Sequence, residues 1–328
     1  MRQRILSLLK GAKDDYLSGE EIAGRLGISR TAVWKHITAL KEAGFQIHSR
    51  FKKGYSLTGA PDILLLTDIE EAMAGHTVGR SIVYFDDVDS TNNVAKEFAR
   101  RGGETGTVVL ADGQGKGRGR LERVFYCPPG KGLWFSVILR PDFLPKDAPK
   151  CTLLAAVAVV QAMEEFGLSA GIKWPNDILA GGKKLVGILT EMHAEIDRVK
   201  DIVIGIGIDV NFQPEDFPED VREIATSLAI LKGENVDRTS FLIAVLKRLD
   251  ALYAEVMRKG FGPVLEAWRK HSVTLGQEVQ ALSQTGEGSF TGIARDIDDD
   301  GALLIDTEDG CRRVLAGEVS LRPVTRRK

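Results

Sequence analysis

The sequence predicts an α+β protein in three parts, and two features of its 328 residues carry that prediction. Residues 1–60 contain two helical patterns and a basic hairpin pattern, whereas residues 61–272 mix buried strands with amphipathic helices. From residue 273 the pattern changes to short strands separated by turn signals, through residue 328. We therefore expect a helical N-terminal domain, a central mixed or antiparallel sheet with helices, and a small C-terminal β-barrel.

Charge is distributed unevenly along the chain. The net charge is -2, but residues 1–60 hold eleven Lys/Arg and five Asp/Glu, which gives +6 and leaves -8 for the remainder. A basic segment joined to an acidic remainder predicts that the N-terminal part binds a polyanion.

The three cysteines, Cys127, Cys151 and Cys311, have no metal-site or redox-motif spacing. We expect reduced thiols in a cytoplasmic protein. The N-terminus does not have a signal-peptide pattern. The most apolar stretch, residues 151–160, is too short to cross a membrane, so we expect no membrane association.

The first domain has the pattern of a winged helix-turn-helix. A capping box that begins at Ser18 precedes a helix over residues 20–26. After a glycine turn, Ser29 caps a second helix over residues 30–43. The segment 45–57 then reads as a hairpin with a basic tip. The domain boundary is expected at Ala60-Pro61, where proline ends regular structure.

The second helix is sized for a DNA major groove, and the hairpin tip is suited to phosphates. The predicted DNA contacts are Ser29, Arg30, Thr31, Trp34, Lys35, Thr38, Arg50, Lys52 and Lys53. Two alternatives stay open. The basic face is either solvated or used for protein contacts, and Trp34 packs on Phe45 or on the hairpin instead of touching DNA.

A polar tripeptide, Ser90-Thr91-Asn92, follows a central strand over residues 81–85. It opens a helix, where backbone amides lack partners. The plain interpretation is an N-cap. Because three polar side chains exceed what one cap needs, we consider them candidates for binding a ligand.

Residues 112–120 contain four glycines and two arginines, Arg118 and Arg120. We expect this segment to form no packed element and to be mobile until an anion binds. Arginine forks match phosphate and carboxylate groups. A nucleic-acid patch and an inert loop are the alternatives, and the position after a buried strand favours a phosphate lid.

The turn Lys173-Trp174-Pro175-Asn176-Asp177 lies in a predicted antiparallel meander over residues 171–210, and Lys184 opens the next strand. Such a layout gathers two ammonium groups and a carboxylate. It suits a carboxylate that attacks a phosphate, because Lys184 and Arg118 would neutralise both anions. The alternative is an ordinary turn with a solvated lysine. Gly205 and Gly207 within a later strand indicate a close approach.

Together with the run 184–189, these motifs resemble biotin protein ligases of the bifunctional type, which also repress transcription. The resemblance covers nearly the whole chain. It implies a class II synthetase-like catalytic domain over residues 61–272 and an SH3-like domain over residues 273–328. It also implies two steps: biotin and ATP give biotinyl-5′-AMP, and biotin then passes to a lysine of the biotin carboxyl carrier protein of acetyl-CoA carboxylase or a related enzyme.

The resemblance assigns roles to individual residues. The implied catalytic residues are Lys184, Arg118 and Asp177. The implied biotin contacts are Ser90, Thr91, Asn92, Gln114, Arg118, Gly119, Arg120, Lys184, Gly187, Gly205 and Gly207. The implied ATP or adenylate contacts are Arg120, Arg123, Phe125, Lys173, Asn176, Asp177 and Lys184. Asp177 either binds Mg²⁺ or serves the acceptor lysine, and the sequence leaves both open.

Three positions depart from the family pattern. Phe125 and Cys127 stand where relatives commonly have Trp and Ser, and Asp209 stands where many have Asn. Phe125 can still stack on an adenine ring, over less area than Trp. The Cys127 change puts little at risk, whereas a nucleotide contact by Asp209 is in doubt.

The family also implies a homodimer that forms with biotinyl-AMP and binds an operator in biotin-synthesis genes. Three alternatives remain: a lipoate-type ligase, a ligase whose helix-turn-helix does not regulate, and a ligand-sensing repressor without catalysis.

Overall fold

The computed structural model describes residues 1–12, 15–42, 44–59, 62–196, 198–283, 289–316 and 319–323. The chain divides into two compact units. The N-terminal unit comprises Met1–Ala74 with Asp237–Ser240, and the second unit comprises Gly75–Val236 with Phe241–Lys328.

The helices are α1 (Arg2–Gly11), α2 (Gly19–Leu26), α3 (Arg30–Glu42), α4 (Leu66–Ala72), α5 (Thr91–Arg100), α6 (Lys150–Glu165), α7 (Leu228–Lys232), α8 (Arg238–Lys259) and α9 (Gly262–His271). The strands are β1 (Gln46–Arg50), β2 (Gly54–Gly59), β3 (Ser81–Val88), β4 (Thr107–Gln114), β5 (Gly132–Leu139), β6 (Gly171–Lys173), β7 (Asp177–Ala180), β8 (Lys183–Ala194), β9 (Val199–Asp209), β10 (Glu278–Ser283), β11 (Ser289–Ile297), β12 (Leu303–Thr307), β13 (Gly310–Val314) and β14 (Val319–Pro323).

The predicted helix-turn-helix is α2 and α3. The Ser18 hydroxyl accepts a hydrogen bond from the Glu21 amide at 3.0 Å, while the Glu21 carboxylate accepts one from Arg25. The predicted last residue of α3, Ala43, lies outside the described residues. Helix α1 was not predicted, because its apolar stretch is short. It belongs to the core of this unit, which includes Ile5, Leu6, Leu9, Ile22, Val33, Ile37 and Leu40.

The predicted hairpin is β1 and β2, which pair antiparallel. The chain at Leu17 adds an isolated bridge to Tyr55, so the hairpin is attached to the segment before α2. Gly54 begins β2 with φ +108°, and a Cβ there would lie 2.0 Å from the Leu17 carbonyl oxygen. The wing therefore depends on a glycine at this position.

The expected boundary residues, Ala60 and Pro61, lie outside the described residues. The structure groups residues 62–74 with the N-terminal unit, although the sequence analysis counted them with the central domain. The start of α8 belongs to the same unit. Fully buried Arg238 pairs with Asp62 at 2.9 Å, and the Thr239 hydroxyl accepts from the Leu65 amide at 3.0 Å. The division into three domains stays a prediction.

The second unit is built on a seven-stranded sheet in the order β3-β4-β5-β9-β8-β7-β6. Only β3 and β4 pair parallel among these strands, which confirms a mixed sheet. Strand β5 is buried along its whole length, and the apolar side chains of α6 are buried with it. This rigid centre positions the loops that follow β3 and β4 and the turns between β6, β7 and β8.

The C-terminal strands form a five-stranded antiparallel sheet in the order β13-β12-β11-β10-β14. The short strands that the sequence predicts after residue 273 are therefore present. In the part of the chain that the structure describes, none of the helices has the length and apolar character that crossing a membrane requires.

We predict that Gly54→Ala destabilises the N-terminal unit by about 2–3 kcal/mol, because it adds both a positive-φ strain and a clash with Leu17. The matched control is Gly24→Ala in α2, where nothing lies within 4 Å of the added methyl group. That change should stabilise the unit by about 0.5–1 kcal/mol. Urea unfolding monitored by circular dichroism measures both; equal midpoints for the two variants would contradict the prediction.

Candidate active site

One cavity of about 860 Å³ lies in the second unit, between strands β7, β8 and β9 and the segments that cover them. Every residue that the sequence analysis assigned to biotin or to the adenylate lines it. These residues are Ser90, Thr91, Asn92, Gln114, Arg118, Gly119, Arg120, Arg123, Phe125, Lys173, Asn176, Asp177, Lys184, Gly187, Gly205 and Gly207. Residues distant in sequence thus converge on one volume.

Ser90 occupies the N-cap position of α5, but within the described chain its hydroxyl makes no capping hydrogen bond. Both Ser90 and Thr91 are buried beside the cavity. The Thr91 amide donates to the Gln114 side-chain oxygen at 2.7 Å, which joins α5 to the end of β4. The plain N-cap interpretation of Ser90 therefore does not describe this structure, and Ser90 lines the cavity instead.

Asn92 is fixed from several directions. Its amide group donates to the Leu189 carbonyl at 3.2 Å and to the Glu191 carboxylate at 2.8 Å, and its oxygen accepts from the Ser136 hydroxyl at 2.6 Å. The sequence analysis did not identify Ser136 or Glu191. For Ser136 the available signal was a single polar residue in the otherwise apolar strand β5. Glu191 lies among other polar residues of β8 and had no such signal.

The Glu191 carboxylate lies beside two cations near Asn92. Lys96 lies 2.8 Å from its carboxylate and Arg118 3.9 Å. Burial raises the pKa of Glu191, but hydrogen bonds from Lys96 and Asn92, with the charges of Lys96 and Arg118, outweigh that effect and lower the pKa overall. Arg118 also donates to the Asn93 side chain at 2.7 Å. Its guanidinium is therefore held before any anion is bound.

The glycine-arginine segment is only partly irregular, which corrects the expectation that it forms no packed element: residues 112–114 belong to β4, and residues 115–119 form a turn and irregular backbone with an isolated bridge at Arg118. Strand β4 continues to Gln114, whose amide donates to the Cys127 carbonyl at 3.0 Å. The Phe125 amide donates to the Gly117 carbonyl, and the Gly119 amide to the Arg123 carbonyl, each at 2.8 Å. Backbone pairing with residues 123–127 holds the segment, because glycine lets the two strands approach closely.

Lys184 and Asp177 form an ion pair at the floor of the cavity, with 2.6 Å between the ammonium and a carboxylate oxygen. The same ammonium lies 5.6 Å from the centre of the Phe125 ring. Asn176 beside them donates to the Ile188 carbonyl at 2.9 Å. Arg120 donates to the Ala316 carbonyl, which brings a cation from the glycine-arginine segment to the C-terminal part.

The strand glycines make room for side chains of the protein itself. A Cβ on Gly207 would lie 2.9 Å from the Phe125 ring, and one on Gly187 3.1 Å from it. A Cβ on Gly205 would lie 2.1 Å from the Asn92 oxygen. The close approach that the glycines indicated is therefore made by Phe125 and Asn92, both of which line the cavity.

A segment that the sequence analysis missed also covers the cavity, namely residues 217–225. Phe217 stacks on Phe212 with ring centres 4.6 Å apart. The Lys184 amide donates to the Ile224 carbonyl at 2.7 Å, and the Thr226 amide to the Lys184 carbonyl at 2.8 Å. This irregular segment had no motif, so only the fold brings it to the site.

Asp209 lines the cavity at the end of β9 and is 6% exposed. Burial raises the pKa of Asp209 well above its usual range, and the Lys184 ammonium offsets only part of that effect. Burial therefore disfavours the charged form of Asp209. Among the described residues, no three His, Cys, Asp or Glu side chains are grouped as metal ligands.

The predicted DNA-contact residues lie in the N-terminal unit. Ser29 accepts from the Ala32 amide at 3.1 Å and so caps α3. Trp34 is 57% exposed, so much of its surface is accessible to a partner. Thr38 is half-buried. The remaining predicted contacts are exposed, namely Arg30, Thr31, Lys35, Arg50, Lys52 and Lys53.

Comparisons with known proteins agree along the whole chain. Residues 84–209 match the Biotin/lipoate A/B protein ligase family, residues 2–56 an HTH domain, and residues 274–322 the Biotin protein ligase C terminal domain. The bifunctional ligase/repressor BirA of Bacillus subtilis (strain 168) is 42% identical over 98% of both chains. That of Escherichia coli (strain K12) is 30% identical over 97% of this chain and 96% of its own.

A solved structure is similar to the second part of the chain. It is the biotin protein ligase from Aquifex aeolicus in complex with biotin and ATP, 33% identical, with a TM-score of 0.65. The match covers 74% of this chain and 99% of that one.

We predict that one thiol per chain reacts rapidly with a disulfide reagent at pH 8. Cys311 is exposed, whereas burial raises the pKa of Cys127 and of Cys151 to about 12. Since the thiolate is the reactive form, the two buried groups should react only after unfolding. Absorbance after adding 5,5′-dithiobis(2-nitrobenzoate) counts the thiols, with Cys311→Ser as the control. A fast phase that survives in Cys311→Ser would contradict the assignment.

Proposed function

Because this chain belongs to the biotin protein ligase family, we propose that it is an ATP-dependent biotin ligase and a biotin-dependent repressor of biotin-synthesis genes. The substrates are biotin and ATP, and the acceptor is a lysine of a biotin carboxyl carrier protein. The protein acts in the cytoplasm.

The observation that carries the ligase proposal is the convergence of the assigned side chains on one cavity around the Lys184–Asp177 ion pair. Biotin would lie at the end formed by Ser90, Thr91 and Asn92. The adenylate would lie towards Phe125, Arg123 and the Asn176-Asp177 turn. In the first step a biotin carboxylate oxygen bonds to the α-phosphorus of ATP, and the bond to pyrophosphate breaks. Cations lower the repulsion between these anions.

We assign that neutralisation to Lys184 and Arg118, with Arg120 and Lys173 beside the phosphates. Both catalytic cations are held by protein side chains, Lys184 by Asp177 and Arg118 by Asn93 and Glu191. Pre-positioned charge costs little reorganisation when the reaction occurs, which supports their role.

In the second step the acceptor lysine attacks the carbonyl of biotinyl-5′-AMP, and AMP leaves. The lysine must first lose a proton, and Asp177 is the carboxylate in the cavity suited to orient it. Mg²⁺ would enter with the phosphates of ATP. Asp177 supplies one carboxylate, which is already paired with Lys184, so the residues here do not form a metal cage of their own.

We predict that Lys184→Ala lowers biotin-dependent pyrophosphate release about 100-fold or more, because a pre-positioned charge is lost at the reacting phosphate. The matched control is Lys183→Ala, which removes the neighbouring lysine of β8 and should retain activity. The assay measures pyrophosphate and the adenylate formed from ATP, Mg²⁺ and biotin, with lipoate in a parallel reaction.

The outcomes separate the alternatives. Release with lipoate alone would make the protein a lipoate-type ligase. Release with neither acid would leave a ligand-sensing repressor without catalysis. Equal activity of Lys184→Ala and wild type would remove Lys184 from the mechanism.

For repression we propose that α3 reads bases in the major groove and that the β1–β2 tip contacts phosphates. Exposed Arg30, Trp34 and Lys35 on α3 and Lys52 and Lys53 on the tip support this. Biotinyl-AMP would favour a homodimer, which would bind two half-sites related by two-fold symmetry.

We predict that the double variant Lys52→Ala/Lys53→Ala weakens binding to a duplex of mixed sequence in the presence of biotin and ATP. The slope of log affinity against log salt should fall by about 2, because two phosphate contacts are lost. Fluorescence anisotropy at several salt concentrations measures it. Lys247→Ala/Lys270→Ala removes the same charge from exposed positions of the second unit and should leave the slope unchanged. Identical slopes for both double variants would exclude a role of the hairpin tip.

A further inference from the structure

Trp174 lies at the centre of the Lys173–Asp177 turn, yet the proposed mechanism gives it no task. It is 1% exposed and lies between the cavity described above and a second cavity of about 410 Å³. Both of its N–H groups are used. The backbone amide donates to the Thr274 hydroxyl at 2.9 Å, and the indole donates to the Gly301 carbonyl at 3.2 Å. Both acceptors belong to the C-terminal part of the chain.

The segment that carries Thr274 is attached to β6, which precedes the turn. The Val273 amide donates to the Ile172 carbonyl at 3.0 Å, and Ile172 and Ser272 form a parallel bridge. Thr274 is buried and also lines the large cavity. The C-terminal part therefore extends the edge of the seven-stranded sheet at the point where the turn begins.

The second acceptor lies on a turn that is fixed by its own hydrogen bonds. One Asp298 carboxylate oxygen accepts from the Asp300 amide at 3.0 Å and the Ala302 amide at 2.9 Å, and Arg313 pairs with the other. Gly301 has φ +79°, and a Cβ there would lie 2.9 Å from Leu153. The Gly301 carbonyl is thus held rigidly towards the indole.

We propose that Thr274 is a positioning residue for ATP, acting through Trp174 on Asn176 and Asp177. A buried amide that loses its acceptor is costly, so without the Thr274 hydroxyl the turn would shift to find another partner. Asn176 and Asp177 follow Trp174 by two and three residues and would shift with it. The biotin end, at Ser90 to Asn92, is on other elements and would stay in place. This inference rests on the proposed function for its kinetic part.

The test compares Thr274→Val, which keeps the shape and removes the acceptor, with Thr274→Ser, which keeps the hydroxyl. In Thr274→Val we expect KM for ATP to rise about tenfold, with KM for biotin within about twofold of wild type. Thr274→Ser should have the wild-type KM for ATP, because it keeps the hydroxyl that accepts from the Trp174 amide. Thr291→Val on the exposed face of β11 is the matched control and should behave as wild type.

Hydrogen exchange of the peptide that contains Trp174, followed by mass spectrometry, decides the positioning claim without any activity. Exchange there should accelerate in Thr274→Val and not in Thr274→Ser. Unchanged exchange with a raised KM for ATP would mean that Thr274 contacts the nucleotide directly, which overturns the proposal. Equal increases in KM for ATP and biotin would also overturn it, as a general loss of structure. If the wild-type protein releases no pyrophosphate, the proposed function fails. The hydrogen-exchange comparison of Thr274→Val with Thr274→Ser still tests whether Thr274 fixes the Trp174 turn.

Discussion

The pairing of Lys184 with Asp177 is the interaction on which the site depends, because three parts of the chain meet at it. The Lys184 side chain reaches Asp177 on β7 and the Phe125 ring, while its backbone holds residues 224–226. An ammonium that is half removed from water needs a counter-charge. Asp177 provides it.

The opposite end of the cavity uses the same principle with other groups. Glu191 on β8 balances Lys96 and Arg118 and orients the Asn92 amide. A net positive cavity without this carboxylate would hold its cations apart by mutual repulsion. The carboxylate therefore lets two cations and a buried amide occupy a small volume next to uncharged Ser90 and Thr91.

The motifs could be predicted because each is local: the Ser90–Asn92 run, the glycine-arginine segment and the Lys173–Asp177 turn are contiguous in sequence. What could not be predicted depends on pairing between distant segments. Glu191, residues 217–225 and the acceptors of Trp174 carry no pattern of their own, and only the fold brings them to the cavity or to the residues that line it. The glycine-arginine segment was expected to be unpaired because composition does not reveal the backbone partners at residues 123–127. Helix α1 was missed because its apolar stretch is short, although it contributes Ile5, Leu6 and Leu9 to the core.

The start of α8 has a consequence for how such a regulator can be divided. Asp237–Ser240 belong to the N-terminal unit, and Arg238 is fully buried there against Asp62. A chain shortened to the ligase part alone would keep this arginine and lose both the carboxylate that pairs with it and the packing that buries it. The first turn of α8 is therefore part of the N-terminal unit, although it follows most of the second unit in sequence. A lineage or a designer that removed the N-terminal unit would leave this turn without its partners and would have to redesign it for contact with water.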